Sequence, residues 1–419
     1  MIEYLKKLTE KNAGFTIQDR GDCQLLSELI IERTDELISY NTLRRLFGLA
    51  SYVKPSKNTL DTLSRFNGYK DYVHYLKINP YEAYWSDKEK LYSLLQEDSE
   101  SLLHFINGLD FKSEKALDFM ISLCRELVYL NKQSLLEAVF NSDFFNNRYF
   151  TYSETLHFGN SIGMLFKSHK LFDNRLLLNE NFLKYVYCIC VDYSNLNGYY
   201  GDWCLYVSTN TSDIQIKCFS LAVLEFKKYL NGLPVSFEYF SSLSTLGFHP
   251  ILIGRLFSVQ VLSKKYGTND IIDFFNTIKK SPPENVLDYL YEPMIVALVS
   301  GDFLLMDFIV NFISNQKIKV RYYYHEHHMN LLHLLTLFTA KFESKEIVSR
   351  ENTDAFFDED YFKYSYKEII AILVHVYKFH NDENVNFHIY AYELLTKKLN
   401  YPIFSNDYIV NYYKSIITT

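Results

Sequence analysis

Over 419 residues the chain carries only 14 Gly and 8 Pro, the two residues that most strongly interrupt a helix. Between them, apolar side chains recur at i, i+3, i+4 and i+7, the spacing that lays one buried stripe along a helix. Together these features predict a mainly helical protein. Leu91–Ile106, Leu117–Val128 (with Ser113 as a cap) and Leu135–Phe140 follow this spacing. So do 154–168, 180–193, 213–230, 236–246, 249–265, 269–279, 285–299, 302–315, 328–342, 364–380, 384–399 and 406–416. The linkers are short, as expected for packed antiparallel helices. No period of about 30–50 residues emerges, so the pattern is not a regular tetratricopeptide or HEAT consensus. It predicts an irregular, solenoid-like stack of helical hairpins. Lys317–Tyr324 begins with strand-like alternation, but no partner strand is in evidence and it reads as a loop.

A chain this long exceeds one ordinary core. Hydrophobic residues make up 48% of it, enough to exclude a disordered chain. The 36 Tyr and 33 Phe are far more than chemistry can use, so most must be packing. A polar stretch with Pro80, 77–90, predicts a boundary between a domain at 1–80 and a helical body at 81–419. Further divisions of the body would fall near 232–235 or 316–327. Residues 1–80 hold 12 Lys and Arg against 10 Asp and Glu, a balance of +2, so of the total −7 the remainder carries −9. A general polyanion binder is basic throughout. Any nucleic-acid contact here must be local and near the amino end.

Within Ile38–Ser64 that local possibility takes shape. Leu43, Leu46, Phe47 and Ala50 form a buried stripe, and Ser39 is placed to cap the helix start. Gly48 suits its end. Tyr40, Asn41, Arg44 and Arg45 project from the other side, and Arg and Asn match guanine and adenine edges in the major groove. Lys54, Lys57 and Asn58 sit in the next turn, where phosphate contacts are expected. The competing reading is a solvated face whose arginines pair with Glu32, Asp35 or Glu36. Upstream, Asp22 is expected to open a helix with Cys23, Leu26, Leu29 and Ile30 on one face.

Leu26-Ser27, Ile38-Ser39, Thr42-Leu43, Pro55-Ser56 and Thr59-Leu60 through Leu63 resemble the helix-turn-helix pattern of the Cro/Xre-like repressors. The resemblance covers residues 19–76, and the step from Leu26-Ser27 to Ile38-Ser39 is several residues longer than in that family. The whole layout is similar to bacterial regulators in which such a head is joined to a tetratricopeptide-like, peptide-sensing body. That implies an all-α protein whose head binds double-stranded DNA and regulates transcription. Its body would bind a peptide or protein partner or form a homodimer. A protein-interaction scaffold without nucleic acid is the alternative.

Other motifs carry residues with chemical potential. Tyr199, Tyr200 and Trp203, in a Gly-containing aromatic segment, are candidates for lining a peptide groove. Arg321, separated from His327 by five residues, resembles the arginine–histidine motif of HEPN-type ribonucleases of defence systems. It implies proton transfer by His327 and phosphorane stabilisation by Arg321, although Tyr322 stands where that family has a polar residue. His325-Glu326-His327-His328 and His333 are a histidine cluster of the kind that binds zinc or nickel. Met329 breaks the H-E-x-x-H pattern, so an exposed polar loop is expected. Asp354, Asp358, Glu359 and Asp360 lack the glycine and terminal Glu of a calcium loop. Cys188-Ile189-Cys190 has no second pair, and all six cysteines are expected to be reduced. No phosphate-binding or kinase signature is present, so no cofactor or metal is expected. The first residues lack an apolar leader, and Asp302 and Asp307 interrupt the most apolar run. A cytoplasmic location without a membrane partner is the expectation.

Overall fold

The computed structural model of the chain describes residues 2–51, 53–78, 88–111, 113–171, 174–316, 318, 320, 325–342, 366–381 and 384–414, leaving aside the side chains of Glu3 and Glu114. The protein is all-α, and no strand occurs among the described residues. Arg321, most of Lys317–Tyr324, and Asp354, Asp358, Glu359 and Asp360 lie outside them. No helix among them is long and apolar enough to cross a membrane. The chain divides into two compact units, Met1–Ser101 and Leu102–Thr419.

The first unit contains α1 (Ile2–Ala13), α2 (Arg20–Thr34), α3 (Tyr40–Leu46), α4 (Lys57–Phe66) and α5 (Tyr72–Ile78). Asp19, not Asp22, leads α2. Its carboxylate accepts from Asp22 N at 3.0 Å while Asp22 accepts from Asp19 N at 3.0 Å, satisfying two unpaired amides of the first turn. Ser39 and Ser56 cap α3 and α4, each accepting from the amide three residues on at 3.2 Å. Gly48, at φ +80°, closes α3 in a conformation that side chains with a Cβ avoid. Leu26, Ile30, Leu43, Leu46, Leu63 and Phe66 form the core. Ser27 Oγ donates to Ile38 O at 2.6 Å, tying α2 to the chain that enters α3.

The second unit begins within α6 (Ser99–Asn107). It continues through α7 (Glu114–Tyr129), α8 (Gln133–Phe140), α9 (Asp143–Asn147), α10 (Tyr152–Gly163) and α11 (Glu180–Phe182), the last prolonged by a π turn at Leu183–Tyr187. Next come α12 (Tyr199–Asn210), α13 (Ile214–Leu230), α14 (Pro250–Leu262) and α15 (Thr268–Lys279). α16 (Val286–Ser300), α17 (Phe303–Ser314), α18 (His325–Phe342), α19 (Lys367–Phe379), α20 (Val385–Leu399) and α21 (Asn406–Asn411) complete it. One expected helix fails: residues 236–246 form turns despite their apolar spacing. The tyrosine-rich segment after Gly198, which lies outside the predicted helical runs, forms α12.

α14 and α16 pack tightly against each other. Pro293, inside α16, has no N–H for the Tyr289 carbonyl four residues earlier. Gly254 of α14 lies against that carbonyl, where a Cβ would come within 2.2 Å of the oxygen. At its far end α16 stops at Gly301, φ +66°. Its last carbonyls are satisfied from the C-terminal segment: Tyr408 OH donates to Val299 O at 2.9 Å and Tyr412 OH to Leu298 O at 2.5 Å. Many of the tyrosines thus work as buried connectors between helices.

Candidate functional site

In the first unit, the α3 stripe of Leu43 and Leu46 is buried, which turns Asn41 and Arg45 outward. Arg44 is half-buried and donates weakly to Asn41 Oδ1 at 3.5 Å. Tyr40 is half-buried beneath Arg20, whose guanidinium carbon lies 4.9 Å from the ring centroid. Lys54, Lys57 and Asn58 are exposed at the entry to α4. Of the acids proposed to neutralise this face, Glu36 is committed elsewhere: it pairs with Arg65 at 2.6 Å and accepts from Thr62 at 2.5 Å. Those two hydrogen bonds, Arg65 first, hold its carboxyl below the usual range. Among the described residues neither Arg44 nor Arg45 forms an ion pair.

The second unit has a charged centre inside its core. Arg255 on α14 and Glu292 on α16 pair at 2.5 Å, and their side chains are 8% and 3% exposed. Arg255 also donates to Tyr193 Oη at 2.8 Å, and Tyr193 donates to Glu292 Oε1 at 3.1 Å. Tyr366 donates to Glu292 Oε2, and the Tyr193 and Tyr366 rings stack at 3.7 Å. Burial works against the Arg255 charge, but Glu292, Tyr193 and Tyr366 together outweigh it and push the guanidinium well above its ordinary range. Burial, reinforced by Glu292, pushes both tyrosine hydroxyls far above their ordinary range. Arg255 Nε is buried with no hydrogen-bond partner among the described residues. Two cavities of about 120 and 580 Å³ meet at Tyr152, Cys188, Ile189, Ile251 and Arg255. Glu292, His327 and His328 also line the smaller one.

The histidine cluster is a correction to the exposed loop expected from sequence. It forms the first turn of α18, with His325 and His328 on one face, 0% and 4% exposed, and His327 half-buried. Buried Asp288 of α16 meets that face: His325 Nε2 lies 3.4 Å and His328 Nδ1 3.8 Å from its Oδ1. Burial, with the neighbouring His325 and His327, drives His328 well below the usual histidine range.

No family model, no curated protein and no solved structure matches the chain. What it can do must be read from these side chains.

The aromatic groove is also corrected. Tyr200 and Trp203 are core side chains, 0% and 8% exposed, and Tyr200 OH donates to Tyr187 O at 2.7 Å. Tyr199 is half-buried with its hydroxyl donating to Asp192 at 2.9 Å. Their spacing on α12 turns them into the body, where Trp203 meets Phe166 and Phe182. All six cysteines are free thiols, and burial pushes Cys190 and Cys204 up to about 12. Burial of this kind disfavours the thiolate, the reactive form. Of the proposed ribonuclease pair, His327 stands in the smaller cavity wall while Arg321 lies outside the described residues. Sequence reasoning missed Arg255, Glu292 and Asp288. A signal for them existed: each is a charge set in a largely apolar helix, which is stable only if paired.

Proposed function

We propose that the protein is a regulator whose first unit binds double-stranded DNA and whose body receives a peptide or protein partner. What supports the DNA reading best is the outward set of Asn41, Arg45, Lys54, Lys57 and Asn58, with Arg44 beside it, in a unit where Glu36 is already bound to Arg65. Arg45 and Asn41 suit base edges, and the lysines at the α4 entry suit phosphates. The net −9 of residues 81–419 disfavours contact between the rest of the chain and a polyanion.

The full chain is tested by selection of duplex fragments at low salt, then by titration of the enriched sequence. Arg44→Ala with Arg45→Ala is expected to abolish sequence-selective binding while the thermal transition stays in place. Lys57→Ala should weaken all duplexes alike and shallow the salt dependence by about one unit of slope. Failure of the folded wild type to enrich any duplex ends the DNA reading.

The scaffold alternative has an observation in its favour. On α20, Phe387, Tyr390 and Leu394 fall at i, i+3 and i+7 and are 54%, 61% and 54% exposed, an apolar stripe suited to a helix or groove partner. If the protein is only a scaffold, one stoichiometric protein is captured through this stripe and nuclease does not release it.

A further inference from the structure

The geometry points to a metal site in the body: Asp288, His325 and His328 bind one first-row divalent ion of the zinc type. The three side chains come from two helices that pack together, α16 and α18. His325 and His328 are three apart in the first turn of α18, so their rings leave the same face. Asp288 lies in the first turn of α16. One ligand atom from each residue, two imidazole nitrogens and a carboxylate oxygen, lies within 4.8 Å of the others. An ion held tetrahedrally at about 2.0–2.2 Å needs donors roughly 3.3–3.6 Å apart. The two nitrogens lie 3.4 and 3.8 Å from the Asp288 oxygen. They lie within 4.8 Å of each other, so the imidazoles close on an ion by moving on the order of an ångström.

The donor set chooses the class of ion. Two nitrogens and one oxygen in a closed interior suit Zn²⁺, Co²⁺ or Fe²⁺, whereas Ca²⁺ and Mg²⁺ need more oxygens or water. Support around the donors is also in place. The Tyr291 ring stacks on His328 at 4.2 Å, fixing the imidazole plane. Three protein ligands leave a coordination position for water or a small ligand, as in catalytic rather than structural sites. His328 belongs both to the triad and to the wall of the smaller cavity, beside Glu292 and Arg255. The ion therefore lies at the edge of this cavity, whose mostly apolar wall carries the Arg255–Glu292 pair. This site uses no residue of the first unit and stands whether or not the protein binds DNA.

Metal content and metal binding test it on the full chain. Chelator-stripped wild type is titrated with Zn²⁺ alone against a chromophoric competitor, and with Co²⁺ followed by visible absorption. The expected result is about one equivalent per chain, a Co²⁺ band of four- or five-coordinate type, and a raised thermal midpoint with Zn²⁺. His328→Gln and Asp288→Asn, checked for folding by circular dichroism, should each weaken Zn²⁺ on the order of 100-fold or more. The wild-type titration stands even if a variant does not fold. Folded wild type that takes up no Zn²⁺ or Co²⁺ overturns the assignment, as does a folded variant that binds as tightly as wild type.

Discussion

Arg255 and Glu292 sit in largely apolar helices, so each ionised group is tolerated there through the other. Desolvation of two charges costs several kcal/mol, and attraction in a low dielectric offsets it only when the remaining donors and acceptors are met. Tyr193 and Tyr366 meet them at Glu292, and the Phe219 ring covers the guanidinium at 4.5 Å. Removing one partner strands the other. Arg255→Met is therefore expected to lower unfolding free energy by about 3–5 kcal/mol. Arg255→Met with Glu292→Met should recover much of that, because the stranded carboxylate is gone. Urea unfolding of the two variants and wild type measures the difference. A single variant within about 0.5 kcal/mol of wild type, the level of an ordinary surface change, would mean that the pair is not shut away from water.

At the scale of elements, the α14–α16 crossing sets where those charges meet. Gly254 permits the approach, one position before Arg255, and Pro293 follows Glu292 directly. Gly254→Ala puts a methyl about 2.2 Å from the backbone oxygen of Tyr289, a contact no rotamer can relieve. The helices must separate, at a cost on the order of 1–3 kcal/mol. The Arg255–Glu292 distance grows with the separation. Thermal and urea unfolding of the variant check this, and unchanged stability would show that the crossing is looser than described. The same scale shows what the sequence made legible. α13, α14 and α16 to α20 lie where the 3.6-residue period puts them, because their apolar stripes meet neighbours close in the chain. α12 was obscured by Gly198 and Gly201. Gly201 is required by packing, since a Cβ there would meet Leu196 O at 1.8 Å. The burial of His325 and His328 was not legible either. Their environment depends on Asp288, far upstream in the chain, and no local window contains that contact.

Across the whole molecule, histidines are held neutral by burial in several places. Burial lowers His249, His333 and His380, and His375 falls to about 4 through burial, His388 and Lys378. His375 and His388 share a hydrogen bond between ring nitrogens 3.2 Å apart, and the neighbouring imidazole opposes a positive charge on His375. The ordinary histidine value is 6.5. The unfolded chain therefore binds more protons than the folded one as the pH falls below 6.5 toward 4. The stabilisation is present above that window and is lost on acidification through it. Glu36 and Glu154, whose carboxyls are lowered by Arg65 and by the Thr151 and Arg148 hydrogen bonds respectively, extend the loss below their ordinary 4.5. Urea midpoints of chelator-treated protein are expected to fall steadily between pH 7.5 and 5, before ordinary carboxylates titrate. His375→Phe should flatten that slope, because the unfolded variant no longer gains that proton. Midpoints level across this range would mean that these imidazoles titrate in the folded chain as they do in water, and that the buried contacts around them open to solvent.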